Sequence, residues 1–221
     1  MRVTSRVDAH TGQWFESSDG VKWWFDSGSL ALDFAYTGGL GAADGRIDEP
    51  WEFLHSTADL DDWLAGRLPA SPSSDRDIAD AHALRGAITR LALSRSRDLP
   101  LAGTDIDLVN LYGATPDVPP RLDGGSRQAG RTEPRAAQAL STIARDAIAL
   151  FDTSASGRIR ACDGDGCSLI YLDTSRGGTR RWCSMQRCGN RHKVRAHRER
   201  HARTATGPGQ AETVTRGSNA T

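Results

Sequence analysis

Four cysteines carry the most specific chemistry in this chain. Cys162, Cys167, Cys183 and Cys188 form two C-x4-C pairs, fifteen residues apart, and the first 161 residues contain no cysteine. Four thiolates satisfy the tetrahedral shell that Zn²⁺ adopts in closed structural sites. Each pair makes a local knuckle, and a metal closes the loop between them. The pattern predicts one structural Zn²⁺ per chain. A catalytic zinc keeps a position open for water, and four cysteines fill the shell. Disulfides fit poorly with the cytoplasmic location expected below. The usual iron–sulfur motifs use tighter cysteine spacing.

The segment between the first two cysteines reads Asp163-Gly-Asp-Gly. It begins like an EF-hand loop, but position five is Cys167 and position twelve is Thr174, so the bidentate glutamate is missing. It reads as a Gly-rich turn that lets the first two thiols converge.

The cysteines lie in a basic block. Formal net charge is zero over 221 residues. Residues 157–203 hold twelve Arg plus Lys against four Asp plus Glu, a balance of +8. Residues 1–156 hold fifteen against twenty-three, a balance of −8. Such a split points to a polyanion partner, most often nucleic acid, with docking on the chain's own acidic part as the plainer alternative. From about 190 to 203 the sequence lacks Pro and is rich in Arg and Ala, which predicts a helix. It has little apolar surface of its own, so the zinc knuckle must anchor its start. Arg187, Arg191, Lys193, Arg195 and Arg198 of this run are the expected DNA contacts, with Arg176, Arg180 and Arg181 from the loop between the cysteine pairs. Trp182, Ile170 and Leu172 read as a small core around the metal. His192, His197 and His201 are spare once four cysteines fill the shell.

The elements that must position this site read as an α+β domain, mostly helical with a β-hairpin. "QWFESSDGVKWWFD" predicts two aromatic-rich strands joined at Asp19-Gly20. A helix follows Ser29 and stops at Gly38-Gly39. "WEFLHS" predicts another strand. Ser56 or Thr57 caps a helix carrying Leu60, Trp63 and Leu64. Apolar residues at intervals of three and four predict a helix over 75–96. Thr104 caps a short helix, and 114–133 read as a loop or weak edge strands. Pro134 opens a helix reaching about Phe151. "DTSASG" at 152–157 is a natural joint. The expected organisation is a sensor-like domain over 1–152, a finger over 157–203 and a disordered tail over 204–221.

Other chemistry finds no support. There is no nucleophile elbow, no Walker loop and no His-Glu-x-x-His helix. "GGLGAADG" fails the dinucleotide fingerprint. His55 and His82 stand alone, and Asp59, Asp61 and Asp62 suit a helix N-terminal turn. The expectation is that the protein is not an enzyme. No run of eighteen apolar residues occurs and the first twenty residues lack the apolar segment of a signal peptide, so the cytoplasm is expected. Of 28 basic residues only Lys22 and Lys193 are lysines, a bias that suits a GC-rich bacterial genome.

The motif Cys188-Gly189-Asn190-Arg191, with Asp173-x-Ser175-Arg176 and the Arg180–Met185 block before it, closely resembles the CGNR zinc finger family. Leu30 to Thr37, "LALDFAYT", is similar to the opening of the ABATE domain that usually precedes that finger, although Val-Asn is commoner where this chain has Ala35-Tyr36. The aromatic hairpin before Ser29 is not part of the resemblance. The resemblance implies a bacterial stress-induced transcription regulator that binds double-stranded DNA, with room for a small-molecule ligand or a homodimer in the N-terminal domain. A finger that binds an acidic protein or RNA is the alternative.

Overall fold

A computed structural model of the chain describes residues 11–16, 20–38, 40, 52–120, 133–152 and 156–205. Two aromatic strands, β1 (Gln13–Glu16) and β2 (Lys22–Phe25), pair antiparallel with Trp14 opposite Trp24 and Phe15 opposite Trp23. The alternation sorts their side chains. Trp23 and Phe25 are buried, whereas Trp14 and Trp24 meet edge to face on the outer surface. Gly20 occupies the turn with φ of +76°; Asp19, its expected partner, lies outside the described residues.

Helix α1 (Leu30–Ala35) is short and buried at every position. A helix this deep needs its end groups satisfied from elsewhere. The Asp146 carboxylate accepts bonds from Ser29 Oγ at 2.6 Å and from the Ala31 amide at 2.9 Å. The helix ends at Ala35 rather than at the glycines, because Tyr36 turns into the core and Thr37 bonds back to Phe34.

Helix α2 (Thr57–Ala65) starts at a capping box between Ser56 and Asp59, and α3 (Asp75–Ser96) at one between Ser74 and Asp77. Helix α3 matches its expected limits. Its Ala81, Leu84, Ala87, Ile88 and Leu91 form the buried stripe on which α1, α4 (Gly103–Ala114) and α5 (Ala136–Phe151) pack. His82 of α3 is structural: its Nε2 lies 2.8 Å from the Leu54 carbonyl.

Three local expectations are corrected. "WEFLHS" forms no strand. Glu52 makes a single bridge to Gly38, its carboxylate is taken by the Arg85 fork, and the chain must turn at once into the α2 cap; Trp51 lies outside the described residues. Thr104 does not cap α4, because the helix begins a residue earlier and Asp105 is drawn to Arg90 at 2.7 Å. Pro134 precedes α5 without starting it. Its carbonyl accepts the Ser71 amide at 2.6 Å, and Gln138 Oε1 takes the Arg135 amide at 3.0 Å where the helix begins. Of the loop over 114–133, residues 115–120 are irregular and held to α5 by Thr142 and Ser141, and 121–132 lie outside the described residues.

After a short 3-10 turn the chain forms β3 (Ile159–Ala161) and β4 (Ile170–Leu172), paired antiparallel. A π-helical turn over Met185–Gly189 leads into α6 (Asn190–Ala205), which runs two residues beyond its expected end. The rest of the expected disordered tail, 206–221, lies outside the described residues. The core is continuous: Ile159, Leu169, Ile170 and Tyr171 belong to the same buried cluster as α1, α3 and α5, so the finger shares its core with the helical part. No helix among the described residues is long and apolar enough to cross a membrane.

Candidate metal centre and the basic helix beside it

The two cysteine pairs arrive on different elements. Cys162 follows β3 and Cys167 precedes β4, so the β3–β4 connection is the first knuckle. Cys183 precedes the π-helical turn and Cys188 lies in it. The wider π turn carries Cys188 back over Cys183. All four Sγ atoms lie within 4.8 Å of one another. Cys167 and Cys183 Sγ are 3.8 Å apart, and Cys183 and Cys188 Sγ 3.6 Å. A tetrahedral zinc with Zn–S of about 2.3 Å requires sulfurs about 3.8 Å apart. Cys162, Cys183 and Cys188 are buried and Cys167 is half-buried. No disulfide links them. Four closed, converging thiols form a structural zinc site with no position left for substrate.

The protein supports the sulfurs further. The Gly164 and Cys183 amides donate to Cys162 Sγ at 3.3 and 3.2 Å. Hydrogen bonding among the four sulfurs pushes Cys167 and Cys183 up and Cys162 and Cys188 down, so the four titrate as one cluster. The Gly-rich segment is a turn, with Gly166 at φ of +66°. Gly164 is needed for space: a Cβ there would sit 2.7 Å from Cys188 Sγ. Asp163 and Asp165 pair with Arg181 and Arg195, so both carboxylates serve arginines.

The loop between the pairs is built on Asp173. Its buried carboxylate accepts the Ser175 amide at 2.9 Å, Ser175 Oγ at 2.6 Å and the Arg180 amide at 3.0 Å. Burial alone would raise its pKa, but these bonds outweigh it and hold the carboxyl below the usual range.

The arginines that sequence reasoning grouped as DNA contacts divide in the structure. Arg180 is built into the scaffold. Its guanidinium lies 4.1 Å over the Tyr171 ring and donates to the carbonyls of Trp182, Cys183 and Asp26. Arg187 is half-buried, 5.2 Å over the Trp23 ring. Arg181 lies between Asp163 and Trp182, and Arg195 between Asp165 and Glu199. Arg176, Arg191, Lys193 and Arg198 are exposed, and among the described residues no carboxylate pairs with them. Trp182 packs against the His192 ring at 5.3 Å, and His197 against His201 at 4.3 Å.

Sequence reasoning missed the residues that hold the finger in place. Tyr36 Oη donates to the Ile170 carbonyl at 2.8 Å and accepts its amide at 2.6 Å. The Leu172 amide donates to the Ser27 carbonyl at 2.8 Å. These partners are 134 and 145 residues apart, and no local motif announces them.

Comparison with known families agrees with this architecture. The family model described as "Putative stress-induced transcription regulator" (ABATE) matches residues 28–154, and that of the CGNR zinc finger matches residues 158–201. No curated protein matches the chain.

Proposed function

Because the chain belongs to the ABATE family and carries a CGNR zinc finger, we propose that it is a zinc-dependent, DNA-binding transcription regulator without catalysis of its own. The observation that carries this reading is the exit of α6 directly from the ligand Cys188, with Arg191, Lys193 and Arg198 exposed within its first turns. Zinc, when bound, supplies only the cross-link that fixes both knuckles. The chain's own residues do the rest. Cys188 anchors the first turn of a helix too polar to anchor itself. The exposed cations offer charge to phosphates and paired donors to the O6 and N7 of guanine. Arg176 reaches the same polyanion from the Asp173-held loop. The helical part, welded to β4 through Tyr36, senses a signal or dimerises and passes its state to the finger.

Selection from random duplex DNA at about physiological salt, with and without a zinc chelator, tests this. One enriched motif that chelation abolishes is expected. Recovery blind to sequence, or unchanged after zinc is removed, contradicts it and turns attention to an acidic protein or RNA.

A further inference from the structure

The β1–β2 hairpin lies outside both family matches, yet it is built onto the finger. The Asp26 carbonyl accepts Arg180 Nη2 at 2.9 Å, and the Trp23 ring lies beneath the Arg187 guanidinium. This docking leaves a cleft of about 570 Å³ between the end of the hairpin and α6. Val21 and Lys22 form one wall. Arg191, Val194 and Arg198 form the other, and the Trp23–Arg187 stack lies between them.

The lining names the partner class. Lys22, Arg187, Arg191, Arg195 and Arg198 all border the cleft, and no carboxylate does. Val21 and Val194, each about half exposed at 54% and 50%, add small apolar surfaces. Cations set among small apolar contacts match a sugar–phosphate strand, whose phosphates alternate with deoxyribose. Base stacking does not fit, since Trp23 is only 6% exposed. A second copy of the same surface does not fit either, because like charges would meet. The Lys22 ammonium lies 3.6 Å from Glu16, both largely in solvent, a pair weak enough to exchange for a phosphate.

We propose that this cleft seats the phosphodiester backbone of one DNA strand, so that the hairpin is the second wall of the DNA interface and Lys22 a phosphate contact. This rests on the DNA-binding reading above. It also explains why an aromatic hairpin is fixed against a finger whose family pattern does not include it. The basic helix does not meet DNA alone. The hairpin sets its depth and limits which face is open.

The test is fluorescence anisotropy of the full-length, zinc-loaded protein on a labelled duplex, from about 50 to about 200 mM salt. Lys22→Ala, Lys22→Glu and Arg198→Ala are compared with wild type, with zinc content and melting curves as controls for folding. Lys22→Ala is expected to weaken binding several-fold and to reduce the log–log salt slope by about 0.9, the value of one phosphate contact. Lys22→Glu is expected to weaken it more than about tenfold. If both Lys22 variants bind like wild type while Arg198→Ala is weakened, the hairpin wall is overturned and the DNA-binding reading stands. If wild type binds no duplex, both fall. Equal competition by polyglutamate overturns the choice of a nucleic-acid strand.

Discussion

The Tyr36 hydroxyl and the backbone of Ile170 exchange two hydrogen bonds, donating at 2.8 Å and accepting at 2.6 Å. The ladder explains why that backbone is available. The Cys162 amide bonds to Leu169 O and the Asp173 amide to Arg158 O, so Ile170, which lies opposite Ala161, points its N–H and C=O away from β3. Tyr36 takes both, and Ser27 takes the next outward amide, that of Leu172. The edge of the zinc-bearing hairpin is thereby covered by the helical part.

Tyr36→Phe removes one oxygen and leaves two buried backbone groups without their partner. The expected loss is about 1–3 kcal/mol, read as a lower denaturation midpoint at unchanged slope. Zinc release to a chelator should also be faster, because β4 joins the Cys162–Cys167 knuckle to the helical part through this contact. Unchanged release would mean that the covered edge contributes nothing to the knuckle.

Metal removal should be felt beyond the finger. Cys162 and Cys167 lie in the connection of the β3–β4 hairpin, and that hairpin shares its core with α1 and α3. Chelation is expected to lower the melting temperature of the far-UV helical signal as a whole, and Cys183→Ala to do the same in excess zinc. Loss of the α6 signal alone, with the remaining helices melting as before, would show that the two parts are thermodynamically separate.

Gly164 and Gly166 lie in the same turn for different reasons. Gly164 has ordinary φ but no space, with a Cβ landing 2.7 Å from Cys188 Sγ. Gly166 has open space but φ of +66°. Gly164→Ala should therefore weaken zinc affinity by at least about tenfold, since it pushes on a ligand sulfur. Gly166→Ala should cost about 1 kcal/mol of stability and leave zinc affinity within a few-fold. Competition with a chromophoric chelator and denaturant titration separate the two.

How much of this the sequence carries depends on distance along the chain. The cysteine spacing, the cap at Ser56 offered beside Thr57 and the apolar stripe of α3 are local signals, and each reads correctly. "WEFLHS" misleads because alternation cannot reveal that Arg85 claims Glu52. Arg180 reads as one basic residue among many; only the fold brings the Tyr171 ring and the Asp26 carbonyl around it. The joint expected at 152–157 suggests two separate bodies. What the joint does not reveal is how the two parts meet: through a shared core, the Leu172–Ser27 bond and a hydroxyl at Tyr36 that lies 134 residues from its partner, within a stretch that otherwise looks like a buried helix end.

Two buried carboxylates should give opposite pH responses. Asp33 is fully buried, and burial pushes its pKa up to about 6, even though Ser27 Oγ and the Gly12 amide both donate to it. The native state therefore holds its proton more tightly than the unfolded chain, whose value is 3.8. Its contribution is most favourable below 3.8 and is lost as pH rises toward 6, by about 3 kcal/mol in all. Asp173 is held below the usual range by its three donors, with burial opposing them. Its contribution is present above the ordinary carboxylate value and is lost as pH falls below it. Asp33→Asn should therefore remove a decline in stability between about pH 4 and 6. Asp173→Asn should cost about 1.5–3 kcal/mol at neutral pH, because the amide end turns a donor toward donors. That penalty should shrink in acid, where the wild-type carboxylate is itself protonated. Denaturant titrations across this pH range read both variants. A wild-type profile that tracks Asp33→Asn throughout would mean that Asp33 titrates normally in the folded protein.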